Sequence, residues 1–220
     1  MQYFLVGHST EFLPIDAYRF GPSTGAGLLV LGGVHGNEPE GTELAEMLRA
    51  ELMKSFDFPF PVLLIPRFNP EGLSRGSRLN SRGVDLNRNL PTKDWQASAF
   101  SPKYPPGECP ASEPETKALL RLFEAQEVFA AMSLHSFGRP LMNTNGDCEL
   151  WARAIQECND YAIEESMGYP TPGCLGTYLG IERARPTITY ELRRGMPIQE
   201  IREQHLPAMM AALEYWKGKQ

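Results

Sequence analysis

Apolar positions along this 220-residue chain fall into two rhythms. Short runs of strand-forming residues at 3–6, 15–20, 28–31, 62–65, 128–134 and 187–192 predict β-strands. Two of them, Leu28-Leu29-Val30-Leu31 and Val62-Leu63-Leu64-Ile65, are apolar without a break. That is the pattern of strands covered on both faces. Between the runs the spacing becomes helical: Leu44, Met47, Leu48 and Leu52 over 39–53, Leu119, Leu120 and Phe123 over 113–127, and Ile201, Met209 and Leu213 over 198–216. Residues 148–166 are read as a further helix. Pro39 and Pro114 suit first helical turns, where a missing N–H has no partner to lose. Ser112 is suited to capping the helix that follows it. Strand, helix and strand in this order predict right-handed crossovers. The expected class is α/β, a mixed and mostly parallel sheet with helices on both faces. No repeat, biased segment or compositional step divides the chain, so 1–220 is read as a single domain.

Two stretches lack any period. Residues 69–111 and 168–180 are rich in glycine and proline, the first also in Ser, Asn and Arg. A loop of the first length inside a domain is usually functional. Composition adds limits. Apolar residues make up 42% and charged residues 22%, enough to bury a substantial core. A net charge of −6 argues against a broad nucleic-acid surface. Cys109, Cys148, Cys158 and Cys174 form no CxxC pair, so they are read as reduced thiols, with a disulfide to Cys109 as the alternative. Cys148 and Cys158 are expected on one helix, too far apart along it to bond. The first residues lack the charge and cleavage pattern of a signal peptide, and no apolar run is long enough to span a bilayer. The expectation is a cytoplasmic protein with no membrane partner; the sequence leaves its oligomeric state open.

The chemistry centres on Gly32-Gly33-Val34-His35-Gly36-Asn37-Glu38-Pro39. It follows a buried strand and opens a helix, so His35 and Glu38 belong to the turn between them. A histidine and a carboxylate three residues apart, joined by a distant histidine, make the two-imidazole, one-carboxylate set of a catalytic zinc site. His135 and Glu191 share the placement: each lies at or near the end of a predicted strand. In open α/β sheets the functional crevice lies beyond the carboxyl ends of the strands. His8 is expected in a turn and His205 on a solvated helix face; neither is a candidate ligand.

Ordered motifs extend this reading. They are Gly33-Val34-His35-Gly36-Asn37-Glu38, Arg78-Leu79-Asn80, Gly83-Val84-Asp85-Leu86-Asn87-Arg88-Asn89, Ser112-Glu113-Pro114-Glu115-Thr116, Leu134-His135-Ser136 and Thr189-Tyr190-Glu191-Leu192. Together the chain resembles the M14 class of zinc carboxypeptidases, and within it the branch of small murein peptide amidases. The resemblance implies a zinc-carboxypeptidase-like fold and one Zn2+ per chain, bound by His35, Glu38 and His135. It implies Glu191 as general base and Arg78 as oxyanion stabiliser, with Asn87 and Arg88 holding a carboxylate of the leaving half. Asp85 matches the position that accepts a hydrogen bond from the first zinc histidine. Tyr169 and Tyr178, with Gly173 and Gly176, are expected to line the leaving-residue pocket. Ser136-Phe137 matches a place where the family has a non-proline cis peptide.

The implied activity is metal-dependent hydrolysis of a peptide amide bond. The implied substrate is a small peptide with a free carboxylate, of the type L-Ala-γ-D-Glu-meso-diaminopimelate, cut at the γ-D-Glu–diaminopimelate bond. Two enzymatic rivals are a carboxypeptidase acting on α-linked peptides and an N-acyl amino acid deacylase of the aspartoacylase or succinylglutamate desuccinylase type. The Ser-Glu-Pro-Glu segment favours the peptidases. A non-catalytic peptide binder needs neither Glu191 nor Arg78.

Overall fold

The computed structural model describes residues 1–99 and 101–219. Its first half contains β1 (Gln2–His8), β2 (Pro14–Phe20), β3 (Gly27–Leu31), α1 (Pro39–Lys54), β4 (Val62–Ile65) and α2 (Pro70–Arg75). The second half contains α3 (Pro114–Ala125), β5 (Val128–Phe137), β6 (Leu141–Asn145), α4 (Glu149–Gln156), β7 (Ala162–Glu164), β8 (Thr187–Arg193), α5 (Ile198–Glu200) and α6 (Leu206–Glu214). The eight strands form one sheet in the order β1-β2-β4-β3-β5-β8-β6-β7. Its centre, β4-β3-β5-β8, is parallel. β2 pairs antiparallel with β1 and β4, β6 pairs antiparallel with β8, and β7 joins β6 in parallel. The sheet is therefore mixed and mostly parallel, as the strand–helix rhythm predicts.

The unbroken apolar strands are explained by what covers them. Leu28 and Val30 pack with Leu44 and Leu48 of α1, Trp151 of α4 and Met209 of α6. Leu29 and Leu31 point the other way, into a second core with Leu119 and Leu122 of α3 and with Leu175 and Leu179. Successive side chains of a strand face opposite sides, so a strand between two cores must be apolar throughout.

Several expectations are corrected. The helix predicted for 148–166 ends at Gln156. Asp160 then takes a positive φ of 55°, and the chain returns as β7. Cys148 stands just before α4 and Cys158 beyond it, so they do not share the helix; all four cysteines are free, as expected. β6 is an additional strand: Leu141 and Met142 are buried, but Asn143, Thr144 and Asn145 hide it from an apolar search. The 69–111 stretch carries α2 and a short 3-10 turn, Leu86–Arg88, and the 168–180 stretch leads into a π-turn, Gly176–Ile181. His205 is fully buried rather than solvated. It ends a π-turn, Ile201–His205, between α5 and α6, and lies within hydrogen-bond distance of both Tyr190 and Tyr161. No peptide bond is cis among the described residues, so the expected cis bond at Ser136-Phe137 is absent.

One close approach joins the two halves of the site. A Cβ on Gly41 would lie 2.3 Å from the carbonyl oxygen of Leu134. The first turn of α1 therefore rests directly on the backbone of β5. The segment carrying Glu38 is held against the strand carrying His135.

Candidate metal centre and active site

His35 and Glu38 occupy the turn between β3 and α1. Gly36 allows that turn to press on the start of α2, since a Cβ there would fall 1.8 Å from the carbonyl carbon of Gly72. Glu38 precedes Pro39 at the start of α1 and has non-helical angles, φ −123° and ψ 62°. A residue before proline is steered from the helical region, which turns Glu38 off the helix axis. His135 lies near the end of β5, and the parallel register places Glu191 of β8 directly beside it. Strand ends and one loop thus bring together groups 156 positions apart (191 − 35).

Nδ1 of His35 and Nδ1 of His135 are each 2.9 Å from Oε2 of Glu38, and 3.0 Å from each other. All three residues are buried. The other ring nitrogens are engaged behind them. Nε2 of His35 faces Oδ1 of Asp85 at 3.0 Å, and Nε2 of His135 faces the Ser133 hydroxyl at 2.8 Å. Burial works to raise the Asp85 pKa, but His35, Arg78 and Arg88 outweigh it and hold the carboxyl far below its ordinary range. An ionised carboxylate only accepts, so Nε2 of His35 carries a hydrogen. In the neutral ring Nδ1 then presents a lone pair toward a second nitrogen and a carboxylate oxygen. Such convergence is unfavourable unless a proton or a cation lies among the three. Two imidazole nitrogens and one carboxylate oxygen, each oriented from behind, suit zinc with a further position open.

The groups around this triad are charged. Oε1 of Glu38 accepts from Arg78 Nη1 at 3.1 Å and from Arg194 Nη2 at 3.0 Å. Burial disfavours the Glu38 anion, yet His35 and His135 outweigh it and its pKa lies well below the usual value. For Glu191 the balance is opposite. Burial and the neighbouring Glu38 charge push its pKa to about 8, against the pull of His35, Arg78 and Arg194. His135 is moved down, mainly by burial. One carboxylate is thus fixed as an anion, and another is made strongly basic beside it.

These groups face a cleft of about 580 Å³. Arg78, Asn87, Arg88 and Tyr169 line it. Arg78 Nε also donates to Asp85 Oδ2 at 2.9 Å, so Asp85 links His35 to Arg78. Tyr178 does not line this cleft. It stacks on Phe123, lies under the Arg183 guanidinium and borders a separate depression. Gly173 and Gly176 are also missing from the lining: Gly173 packs on the Arg88 carbonyl and Gly176 on Asn145. Tyr104 and Arg194 are among the lining residues that the sequence reading did not single out. Tyr104 stacks on Tyr169 and lies 4.8 and 5.2 Å from the Arg78 and Arg88 guanidinium carbons. Nothing in its loop marks it. Arg194 stands three residues after Glu191, which was a usable signal.

A family model described as zinc carboxypeptidase matches residues 1–172. The chain belongs to the zinc carboxypeptidase family. It is 31% identical over 206 residues to murein peptide amidase A of Vibrio campbellii, covering 85% of this chain and 77% of that protein. It is 28% identical over 165 residues to murein peptide amidase A of Escherichia coli K12. That match covers 68% of this chain and 64% of the relative, just under two thirds of its length. The crystal structure of a murein-tripeptide amidase from Escherichia coli O157 superposes with a TM-score of 0.78 at 24% identity. It covers 97% of this carboxypeptidase-family chain and 92% of the other, and shows the shared fold.

Proposed function

We propose that this chain is a zinc-dependent amidase cutting the γ-D-Glu–meso-diaminopimelate bond of a small murein tripeptide, in cytoplasmic recycling of cell-wall peptides. The observation that supports the chemistry is the meeting of the His35, Glu38 and His135 donor atoms within 3.0 Å, with Glu191 beside them in one cleft. The relatives named as murein peptide amidases favour the substrate. Among the described residues, no helix is long and apolar enough to cross a membrane.

Zinc held by the triad supplies Lewis acidity toward water and the scissile carbonyl. Glu191 accepts a proton from the attacking water as the new C–O bond forms. It then delivers that proton to the departing amine as the C–N bond breaks. Arg78 faces the cleft with a fixed charge and stabilises the oxygen anion that develops. Asn87 and Arg88 hold a carboxylate of the leaving diaminopimelate; a guanidinium does so with paired hydrogen bonds. Asp85 fixes the tautomer of His35 and the position of Arg78. Tyr169, stacked on Tyr104, forms a wall of the leaving-residue pocket.

The test is a hydrolysis panel on purified, zinc-loaded protein: murein tripeptide, an α-linked peptide with a free C-terminus, and N-acetylaspartate. The tripeptide is expected to have the highest kcat/KM. Preference for the α-linked peptide would make the chain a conventional carboxypeptidase, and preference for N-acetylaspartate would make it a deacylase.

A further inference from the structure

Arg194 has no task in the hydrolysis just described, yet it stands in the cleft. Its backbone N–H donates to Phe137 O at 3.0 Å, so the adjacent ends of β5 and β8 fix its position. Its Nη2 donates to Oε1 of Glu38 at 3.0 Å and to the Ser136 carbonyl at 2.8 Å. Neither Nε nor Nη1 makes a hydrogen bond among the described residues, and the side chain is 45% exposed. A guanidinium has five donor hydrogens. The three on Nε and Nη1 remain free for an anion. Arg193 differs: its guanidinium pairs with Glu200 and takes no part in the lining.

The cations of the cleft can be matched to charges on the substrate. Arg78 is held by Asp85 and Glu38 and faces the developing oxyanion. Arg88 and Asn87 take a carboxylate of the leaving half. A peptide whose only carboxylate is at its C-terminus offers nothing to the free Nε and Nη1 donors of Arg194. A γ-linked glutamyl residue differs in one respect: its α-carboxylate stays free on the acyl half, separated from the scissile carbonyl by Cα, Cβ and Cγ. Arg194 touches one triad residue and the carbonyl next to another, so it is placed for a group that close to the reacting bond.

We propose that Arg194 is a specificity-determining residue that binds the free α-carboxylate of the γ-linked glutamyl half. This inference rests on the γ-glutamyl reading above and assigns the contact that separates γ-linked from α-linked substrates.

The test compares two substrates with the same scissile bond, L-Ala-γ-D-Glu-meso-diaminopimelate and its α-carboxamide analogue with γ-D-isoglutamine. Wild-type, Arg194→Gln and Arg194→Lys proteins are assayed, and zinc content is measured alongside. A hydrogen bond between two charged groups predicts a wild-type kcat/KM ratio of about tenfold or more in favour of the carboxylate. The ratio should collapse to within about threefold in Arg194→Gln and survive in part in Arg194→Lys. The wild-type comparison stands whether or not either variant folds. Equal rates on the two substrates in wild type, or a full preference retained in Arg194→Gln, would overturn the assignment and leave the γ-glutamyl reading intact. Wild-type protein that cleaves neither substrate would remove that reading and this inference with it.

Discussion

Asp85 lies 3.0 Å from Nε2 of His35 and turns the opposite ring nitrogen toward Glu38 and His135. The same carboxylate accepts from Arg78 through its second oxygen and from the Asn87 N–H through its first. One buried acid therefore orients a proposed metal ligand, the proposed oxyanion donor and the turn carrying Arg88.

Replacing Asp85 tests that linkage. Asp85→Asn keeps the size but loses the charge that holds the His35 tautomer. Partners of this kind are worth about 10–100-fold in metal affinity. Competition with a chelator should show zinc affinity falling by about that factor in Asp85→Asn, with a larger fall in Asp85→Ala. Unchanged affinity in both would mean that His35 is not oriented through Asp85.

Glu191 separates chemistry from metal binding. Its backbone is locked between β5 and β6, and its carboxylate belongs to none of the triad contacts. Glu191→Gln should retain one zinc per chain while kcat falls about 10²–10⁴-fold, the range of a lost general base. Near-wild-type turnover would remove Glu191 from that role.

His205 gives a pH-dependent stability. Burial pushes its pKa down to about 4 from an ordinary 6.5. The ring takes the Tyr190 hydroxyl at Nδ1, 2.6 Å away, and meets the Tyr161 hydroxyl at Nε2, 3.2 Å away. The unfolded chain binds a proton as pH falls through 6.5, whereas the folded chain resists until about 4. The stabilisation from neutral His205 is therefore full above pH 6.5 and is lost between 6.5 and 4, by on the order of 2–3 kcal/mol. Urea unfolding of wild-type and His205→Gln proteins at pH 7 and pH 4.5 should show the wild-type advantage shrinking at the lower pH. A constant difference would contradict the assignment.

The parts legible in the sequence are those where local pattern and sheet placement coincide. His35 and Glu38 were visible because a buried strand must stop before them and a proline-started helix must follow. His135 was visible because its strand is mostly apolar up to the site, and Glu191 because a run of strand-forming residues leads to it. β6 was not, because its Asn143 side lines the cleft and breaks the apolar alternation. His205 misled because a straight helix was assumed. The π-turn before it inserts an extra residue per turn and rotates the following positions. Tyr169 and Tyr178 both lie in or near one glycine-rich stretch, where no period tells which ring turns inward. Arg194 was legible as a residue beside Glu191, but its direction depends on how the ends of β5 and β8 are paired.

Anomalous diffraction at the zinc edge, on crystals of protein assayed as active, tests the whole account most directly. The predicted result is one strong peak per chain, bounded by Nδ1 of His35, Nδ1 of His135 and the Glu38 carboxylate. An active crystal with no peak there, or with its metal held elsewhere, would contradict the metal centre and the hydrolytic chemistry built on it.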